Sequence, residues 1–475
     1  MLEFIALLVG LALSWTLGAA LLAATYSRSL VAPPVTWIVG CGWFVGIFAT
    51  TLLMRALSAA DVRWNIASIG APLLVVVLVG AWLGRRVARD RMAGTWRRFA
   101  SGIAGRHLNG WQRVAWRLLI AWIAIRFALL FAEVWWRPLY PWDAWTQWGT
   151  KARVWFELGR IVPFVYPNEW LDGAKPDAYV DAAPHYPGTV PLFQVWAAVL
   201  IGRWDDALVN LPWWISGVAF SIAFYGGLRR LAFAPLLALV GAALLTSLPI
   251  LNAHIALAGY ADLPMAAYLT LGTIGALLAV RTRSPVEAVV AAVLLAACVL
   301  IKNPAKVWMI VLLPGLVVAA MPRRGLQLTG GAFVLAALAI QWLARNGVNL
   351  LGYQLYPQFA MPWNALFDAY FSFGNWHLLW YCALATVVLA WRQLLSREVA
   401  PWSCVIAAGL MFLFVGFAFT HAGAWVEDQS TVNRATLHLA PLIVVWMFVA
   451  LRAWRTSAQG STAPPQAASG LTRPA

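Results

Sequence analysis

The stretch Pro138–Arg153, PLYPWDAWTQWGTKAR, carries residue types that could do chemistry at a membrane surface. Asp143 stands between two tryptophans, and the cations Lys151 and Arg153 follow soon after it. A carboxylate can accept a proton from a reacting group, and Lys or Arg can hold a phosphate. The alternative interpretation is an interfacial belt of aromatic residues with a few solvated charges.

Further candidate binding residues occur in four later motifs. They are His185 and Tyr186 in PHYPGTVPLF, His254 and Asp262 in LNAHIALAGYADLP, Lys302 and Asn303 in IKNPAKVW, and Arg434 and His438 in WVEDQSTVNRATLHLAP. Ionisable groups at membrane depth are costly, are usually paired and often mark functional sites. Each motif is weak alone, since a single histidine suits an interfacial position and Asp262 equally suits a helix N-cap. Together the motifs indicate a functional site only if all of them lie on one face of the protein.

The composition identifies the class of protein. The chain has 475 residues, of which 62% are hydrophobic and only 11% charged, whereas soluble domains have about 25% charged residues. Apolar runs long enough to cross a bilayer recur about thirteen times. This pattern predicts an all-α polytopic membrane protein with about thirteen transmembrane helices, embedded in the lipid bilayer. The net charge of +16 lies mostly in arginines between the runs, which indicates the positive-inside rule and not nucleic-acid binding.

The arginines between the runs also set the predicted orientation. Residues 85–113 contain eight arginines and one acid, so they are predicted to form a basic cytoplasmic loop. The next run then exits on the far side, which places the loop at 135–187, with Asp143, outside the cytoplasm. Residues 1–84 are expected to form extra N-terminal transmembrane helices, and residues 456–475 a disordered cytoplasmic tail.

Two juxtamembrane helices are expected in or next to the first large outer loop. Trp145–Leu158 is predicted to be amphipathic and to lie along the interface, with Trp145, Trp148, Ala152 and Trp155 on one face. Pro187–Gly202 is apolar but short for a span, so it is interpreted as the second juxtamembrane helix.

The predicted catalytic module, residues 114–455, resembles the GT-C superfamily of membrane glycosyltransferases that use polyprenyl-phosphate sugars. Relatives include protein O-mannosyltransferases and lipid A aminoarabinose transferases. The resemblance rests on PWDAW, PHYPGTVPLF, GYADLP, IKNP and VNRATLHLAP. It implies that Asp143 is the general base, and that Lys151, Lys302 and Arg434 are candidates to hold the lipid phosphate. This chain has Ala144 where many members have Glu after the catalytic Asp, and IKNP lacks the acid that often follows the lysine.

The resemblance implies a multi-pass protein of the plasma membrane, in bacteria the inner membrane, with its active site facing outside. Its substrates would be a polyprenyl-phosphate-linked sugar and an extracytoplasmic glycan, lipid or protein acceptor. A single displacement would invert the anomeric carbon. No cofactor is expected and none of the four cysteines has metal-ligand spacing, although the use of a divalent metal stays open. The competing class is a transporter or lipid flippase, which would show paired half-repeats and interrupted helices.

Overall fold

A computed structural model describes residues 2–27, 29, 32–82, 108–173, 178–350, 353–357, 359, 361–429 and 431–461. Most of these residues are helical, and the protein is an all-α multi-pass membrane protein, as its composition predicts. The described strands are two pairs of two-residue strands, one parallel and one antiparallel, and the other described residues form turns and loops.

The part of the chain before residue 210 combines long apolar helices with the first large loop. Its helices are α1 (Leu2–Tyr26), α2 (Val35–Ala59), α3 (Ile66–Trp82), α4 (Gly110–Trp136), α5 (Thr150–Leu158), α6 (Pro167–Leu171) and α7 (Thr189–Ile201). A π-helical turn, Ala144–Gly149, leads directly into α5. Strands β1 (Phe164–Val165) and β2 (Tyr179–Val180) pair within the same loop.

The rest of the chain is a series of apolar helices with one further long loop. The helices are α8 (Leu211–Arg230), α9 (Pro235–Ser247), α10 (Pro249–Ala256), α11 (Asp262–Thr282), α12 (Pro285–Val299), α13 (Ala305–Ala320), α14 (Pro322–Arg345), α15 (Trp363–Phe367), α16 (Leu379–Ala390), α17 (Ala400–Ala418), α18 (Ala424–Glu427), α19 (Val432–Leu437) and α20 (Ala440–Ser461). Strands β3 (Asn349–Leu350) and β4 (Tyr353–Gln354) form a small hairpin after α14.

Helices occupy all of the predicted apolar runs, but fewer of them are long enough to span a bilayer alone. Within the described residues, seven helices have the length and apolarity of a span, and an eighth results if the bent pair α9 and α10 counts as one. The two helices of that pair meet at an angle of 64°. Five further apolar helices, α3, α7, α12, α13 and α16, are 10–17 residues long. The count of thirteen spans therefore stays a prediction.

Helices α1 and α2 pack against each other at very short range. A Cβ atom at Gly18 would lie 1.9 Å from the carbonyl oxygen of Gly42, and one at Gly46 would lie 1.7 Å from that of Ser14. Small residues spaced four apart let membrane helices approach this closely and gain van der Waals contact. The pair then joins the common core, because Trp43 Nε1 on α2 donates to Ser216 Oγ on α8 at 2.8 Å.

The first large loop differs from the prediction in two respects. Trp148, Ala152 and Trp155 are buried as expected, but Trp145 is 47% exposed. The wider π-helical turn changes the angular spacing between Trp145 and the α-helical residues after it, so Trp145 leaves their face. Helix α7 is not a surface helix, because all of its thirteen residues are buried. A helix that is apolar on every side is suited to a core position.

Two predicted segments fall partly or wholly outside the described residues. The basic loop at 85–113 is described only from residue 108 onward. The predicted C-terminal tail begins as helix, because α20 continues to Ser461, and residues 462–475 lie outside the described part.

The contact of α1 with α2 can be tested with one added methyl group. Gly46→Ala should lower the thermal stability of the purified protein in detergent, because the new Cβ would collide with the backbone of α1. Gly331→Ala on α14 is the matched control, since a Cβ there meets nothing within 4 Å. The control should be neutral or slightly stabilising, because alanine favours helix more than glycine does. Equal unfolding temperatures for the two variants would contradict the close packing.

Candidate active site

A fully buried carboxylate, Asp262, lies at the start of α11 and gathers the candidate residues around it. Its Oδ1 accepts from Lys302 Nζ at 2.6 Å and from His438 Nε2 at 3.0 Å. Its Oδ2 accepts from Arg434, from Nε at 3.1 Å and from Nη2 at 3.0 Å. The N-cap residue of α11 is Ala261, and Asp262 is the first helical residue. The N-cap interpretation of Asp262 is therefore wrong, and ion pairing occupies its carboxylate.

Arg434 joins this buried carboxylate to the first large loop. Its Nη1 donates to Asp143 Oδ2 at 2.6 Å, while its Nε and Nη2 face Asp262. The guanidinium carbon lies 4.2 Å from the centre of the Tyr260 ring, within the range of a cation–π contact. We call Asp143, Asp262, Lys302, Arg434 and His438 the Asp262 cluster.

A glycine allows the loop before α11 to approach Asp143. Gly259 has φ +100°, a conformation that L-residues rarely adopt. A Cβ atom there would lie 2.6 Å from that of Ala144 and 2.7 Å from Leu139 Cδ1. Ala144 itself is fully buried. The small side chain of Ala144 is thus matched to close contact between the two segments.

The charges of the Asp262 cluster balance among its own members. Two carboxylates face one lysine and one arginine. Lys302 donates one contact to them, Arg434 donates three, and His438 donates the fifth. Burial lowers the pKa of Lys302, although Asp262 acts in the opposite direction. Burial also lowers the pKa of Arg434, but Asp262 and Asp143 raise it by more, so the net direction is upward. The arginine therefore stays charged between its two carboxylates.

His254 presents an unused acceptor beside the cluster. Its Nδ1 lies 2.8 Å from the carbonyl oxygen of Ile250, which requires the proton on Nδ1 and leaves a lone pair on Nε2. That Nε2 is buried, 4.0 Å from Asp262 Oδ2, and has no hydrogen-bond partner among the described residues. The bend between α9 and α10 brings His254 to this position, where it could accept a hydrogen bond from a bound hydroxyl group.

Lys151 lies in a separate ion pair. Its Nζ contacts Asp181 Oδ2 at 2.6 Å and donates to the carbonyl oxygen of Ala183 at 2.7 Å. Both side chains of the pair are buried. Burial lowers the pKa of Lys151, against the opposite effect of Asp181. The lysine ties the end of the loop to α5, so its contacts are those of a structural residue.

In the part of the chain that the structure describes, the other predicted binding residues form no hydrogen bond or ion pair with Asp262 or Asp143, so they do not belong to the cluster. Arg153 is exposed on α5. His185 is exposed, with its ring 5.1 Å from that of Tyr166, and Tyr186 packs edge-on against Trp148 at 5.3 Å. Asn303 is half-buried beside Lys302. Their assignment as substrate-binding residues stays a prediction.

Two residues with clear roles were not among the predicted site residues. Tyr260 lies under the Arg434 guanidinium, and Asp181 neutralises Lys151. Tyr260 belongs to the same GYADLP motif as Asp262, so its position in the sequence is a usable signal. Asp181 is one of several acids in the loop, and no pattern in the sequence distinguishes it.

Comparison of the chain with protein-family models, with curated proteins and with solved structures found no match. Among the described residues, no group of three or more His, Cys, Asp or Glu side chains is arranged to hold a metal ion.

Neutralising Asp262 should destabilise the protein strongly. Asp262→Asn leaves the half-buried cations Lys302 and Arg434 without their shared, fully buried carboxylate, and losing one partner of a buried ion pair costs about 3–5 kcal/mol. The exposed pair of Glu133 and Arg137 gives a matched control, because exposed pairs contribute at most about 1 kcal/mol. Thermal unfolding in detergent should show a large decrease for Asp262→Asn and little change for Glu133→Gln. Similar stability of the two variants would mean that the cluster does not support the fold.

Proposed function

We propose that this protein is an integral membrane glycosyltransferase that transfers a sugar from polyprenyl phosphate to an extracytoplasmic acceptor. The observation that carries the proposal is Arg434, which bridges Asp143 and the buried Asp262 next to Lys302. Such a reaction needs a carboxylate to take a proton and cations to hold a phosphate. The cluster contains both, at one end of a bundle of apolar helices.

In the proposed reaction, Asp143 takes the proton of an acceptor hydroxyl group as its oxygen attacks the anomeric carbon. The bond from that carbon to the phosphate oxygen breaks, and the bonding electrons leave with polyprenyl phosphate. Arg434 and Lys302 stabilise the charge on the departing phosphate. The displacement occurs once, so the configuration of the sugar is inverted. Because phosphate is already a good leaving group, the reaction needs no organic cofactor.

The charge balance of the cluster suggests an order of binding. Asp262 already accepts four donor contacts, whereas Asp143 holds Arg434 through Nη1 alone and its side chain is 25% exposed. An incoming phosphate would therefore take Nη1 from Asp143 more easily than it would separate Arg434 from Asp262. That exchange frees the carboxylate of Asp143 to act as the base. On this scheme the lipid donor binds before the acceptor.

The proposed location is the plasma membrane, with the Asp262 cluster on the non-cytoplasmic side. The opposite end of the bundle carries arginines at the ends of several helices, including Arg229, Arg230 and Arg281. An excess of Lys and Arg marks cytoplasmic ends of membrane helices.

A transporter is the second candidate, and the bend between α9 and α10 is the observation that favours it. Helices broken within the membrane form the binding sites of many transporters. Here, however, the second half of the broken helix holds His254 against the Asp262 cluster. Purified protein in detergent distinguishes the two classes, because a transferase forms product without separated compartments and a transporter forms none.

The donor can be identified in cells. Mass spectrometry of envelope lipids, with and without the gene, should show one polyprenyl-phosphate sugar accumulating when the protein is absent. That lipid then serves as the donor in an assay with purified protein. If no lipid-linked sugar accumulates and no transfer is found, the proposed function fails.

Removing the proposed base should nearly abolish transfer. Asp143→Asn keeps size and hydrogen bonding but cannot accept the proton, and general-base assistance is worth about 10²–10⁴-fold in rate. The rate of sugar transfer by purified enzyme should fall by at least that range, at normal expression and unchanged unfolding temperature. Asp172→Asn, which changes an exposed carboxylate of the same loop, should leave the rate unchanged. Wild-type turnover by Asp143→Asn would remove Asp143 as the base.

The cations should control binding of the lipid carrier. Lys302→Ala and Arg434→Ala should weaken the binding of polyprenyl phosphate, because each removes a cation that is proposed to hold the phosphate. Lys306→Ala is the control, since Lys306 is exposed on the first turn of α13. Arg434→Lys keeps the charge but loses the planar fork that faces two carboxylates, so it should also bind more weakly. Unchanged affinity in both alanine variants would show that neither cation holds the phosphate.

A further inference from the structure

An apolar groove lies between α14 and α17, away from the residues of the Asp262 cluster. It has a volume of about 450 Å³, within the range of sites that bind small ligands. Aliphatic and aromatic side chains line most of it, among them Ile340 on α14 and Phe414 on α17. Its two polar lining side chains are Gln341 and Arg345, near the C-terminal end of α14.

Helix α14 is the most lipid-exposed of the long helices described. Only 6% of its apolar window is buried inside the protein, compared with 50% for α17. The lining residues Ala337 and Phe414 are exposed on two helices of membrane-spanning length, so this part of the groove is expected to meet the hydrocarbon of the bilayer. An occupant must then present hydrocarbon along the groove, because a polar solute could not reach it without leaving water.

Arg345 places a positive charge at one end of the groove, so a matching occupant carries a negative charge there. It is exposed in the last turn of α14, and no carboxylate among the described residues lies within ion-pair distance of it. Tyr356 N–H donates to the carbonyl oxygen of Phe419 at 2.7 Å, which fixes the loop after α14 against the end of α17. The groove thus ends at a cation in the last turn of a helix of membrane-spanning length, where lipid head groups are expected.

We infer that this groove binds one anionic phospholipid of the bilayer, with a hydrocarbon chain along α14 and α17 and its phosphate beside Arg345. An arginine with no carboxylate partner is suited to bind a phosphate, because its guanidinium donates charge-assisted hydrogen bonds to phosphate oxygens. The choice of a phospholipid over the sugar donor rests on the proposed function. A polyprenyl-phosphate sugar has one phosphate, which Arg434 and Lys302 are proposed to hold, so none would be left for Arg345.

Native mass spectrometry of the full-length protein tests the inference. The protein is reconstituted with vesicles of phosphatidylglycerol or of phosphatidylcholine, and the lipid that stays bound after extraction is counted. We expect one phosphatidylglycerol to be retained in preference to phosphatidylcholine. Arg345→Gln should weaken that retention about five-fold, which corresponds to about 1 kcal/mol for one cation near an anionic head group. Arg324→Gln, at the other end of α14, should leave this bound lipid unchanged.

Filling the groove gives an independent second arm. Ala337 lines the groove, whereas Ala339 is exposed on the same helix and does not line it. Ala337→Phe should expel the lipid and Ala339→Phe should not, at equal expression and unfolding temperature. If both lipids are retained equally, or if neither Arg345→Gln nor Ala337→Phe changes retention, the inference is overturned.

Competition separates this inference from the proposed function. Added polyprenyl phosphate should leave the bound phosphatidylglycerol in place, and its own binding should depend on Arg434 and not on Arg345. Displacement of phosphatidylglycerol by polyprenyl phosphate would overturn the phospholipid assignment and make the groove part of the donor site. If the protein proves not to transfer sugar, the result of the lipid-binding measurement still stands, because that measurement requires no reaction.

Discussion

The solvation of one buried charge dominates the structure around the candidate site. A carboxylate that is fully removed from water, such as Asp262, is tolerated only when its charge and its oxygens are satisfied by the protein. Lys302 does so from the turn between α12 and α13, and Arg434 and His438 do so from α19 and the residue that follows it. The constraint fixes how these segments meet, and the position of Asp143 follows from it through Arg434.

The N-terminal helices are part of the same body, although the motifs of the candidate site lie beyond them. Trp43 and Phe44 on α2 reach α8 and α11, where Tyr268 donates to the Phe44 carbonyl oxygen at 2.5 Å. At the other end of the bundle, Arg230 pairs with Glu287, and the hydroxyl group of Tyr26 on α1 donates to the same carboxylate. The N-terminal helices, which contain none of the site motifs, thus contact the helices of the candidate site through packing and through one buried ion pair.

The sequence predicted the helices better than the contacts between them. Apolar length and arginine positions locate the helical runs, because both reflect the local demands of a bilayer. The burial of α7 depends on neighbours that local patterns do not contain. The bend at Leu248, in contrast, has a local cause, because Pro249 at the start of α10 cannot continue the hydrogen bonding of α9. The same division applies to the site. The polar motifs drew attention to Asp143, Asp262, Lys302 and Arg434, but only three-dimensional packing separates Lys151, which pairs with Asp181, from the cations of the cluster.

The spacing of the cluster along the chain has a consequence for biosynthesis. Asp143 and Arg434 are 291 residues apart, and Asp262 and Arg434 are 172 apart. As a ribosome makes the chain, α11 with Asp262 enters the membrane long before α19 exists, so this carboxylate first has only Lys302 as a charged partner. Arg434 arrives only after most of the helices described here have been made. A chain that terminates before α19 would therefore keep those helices and yet lack a completed charge cluster, which couples assembly of the site to synthesis of α19.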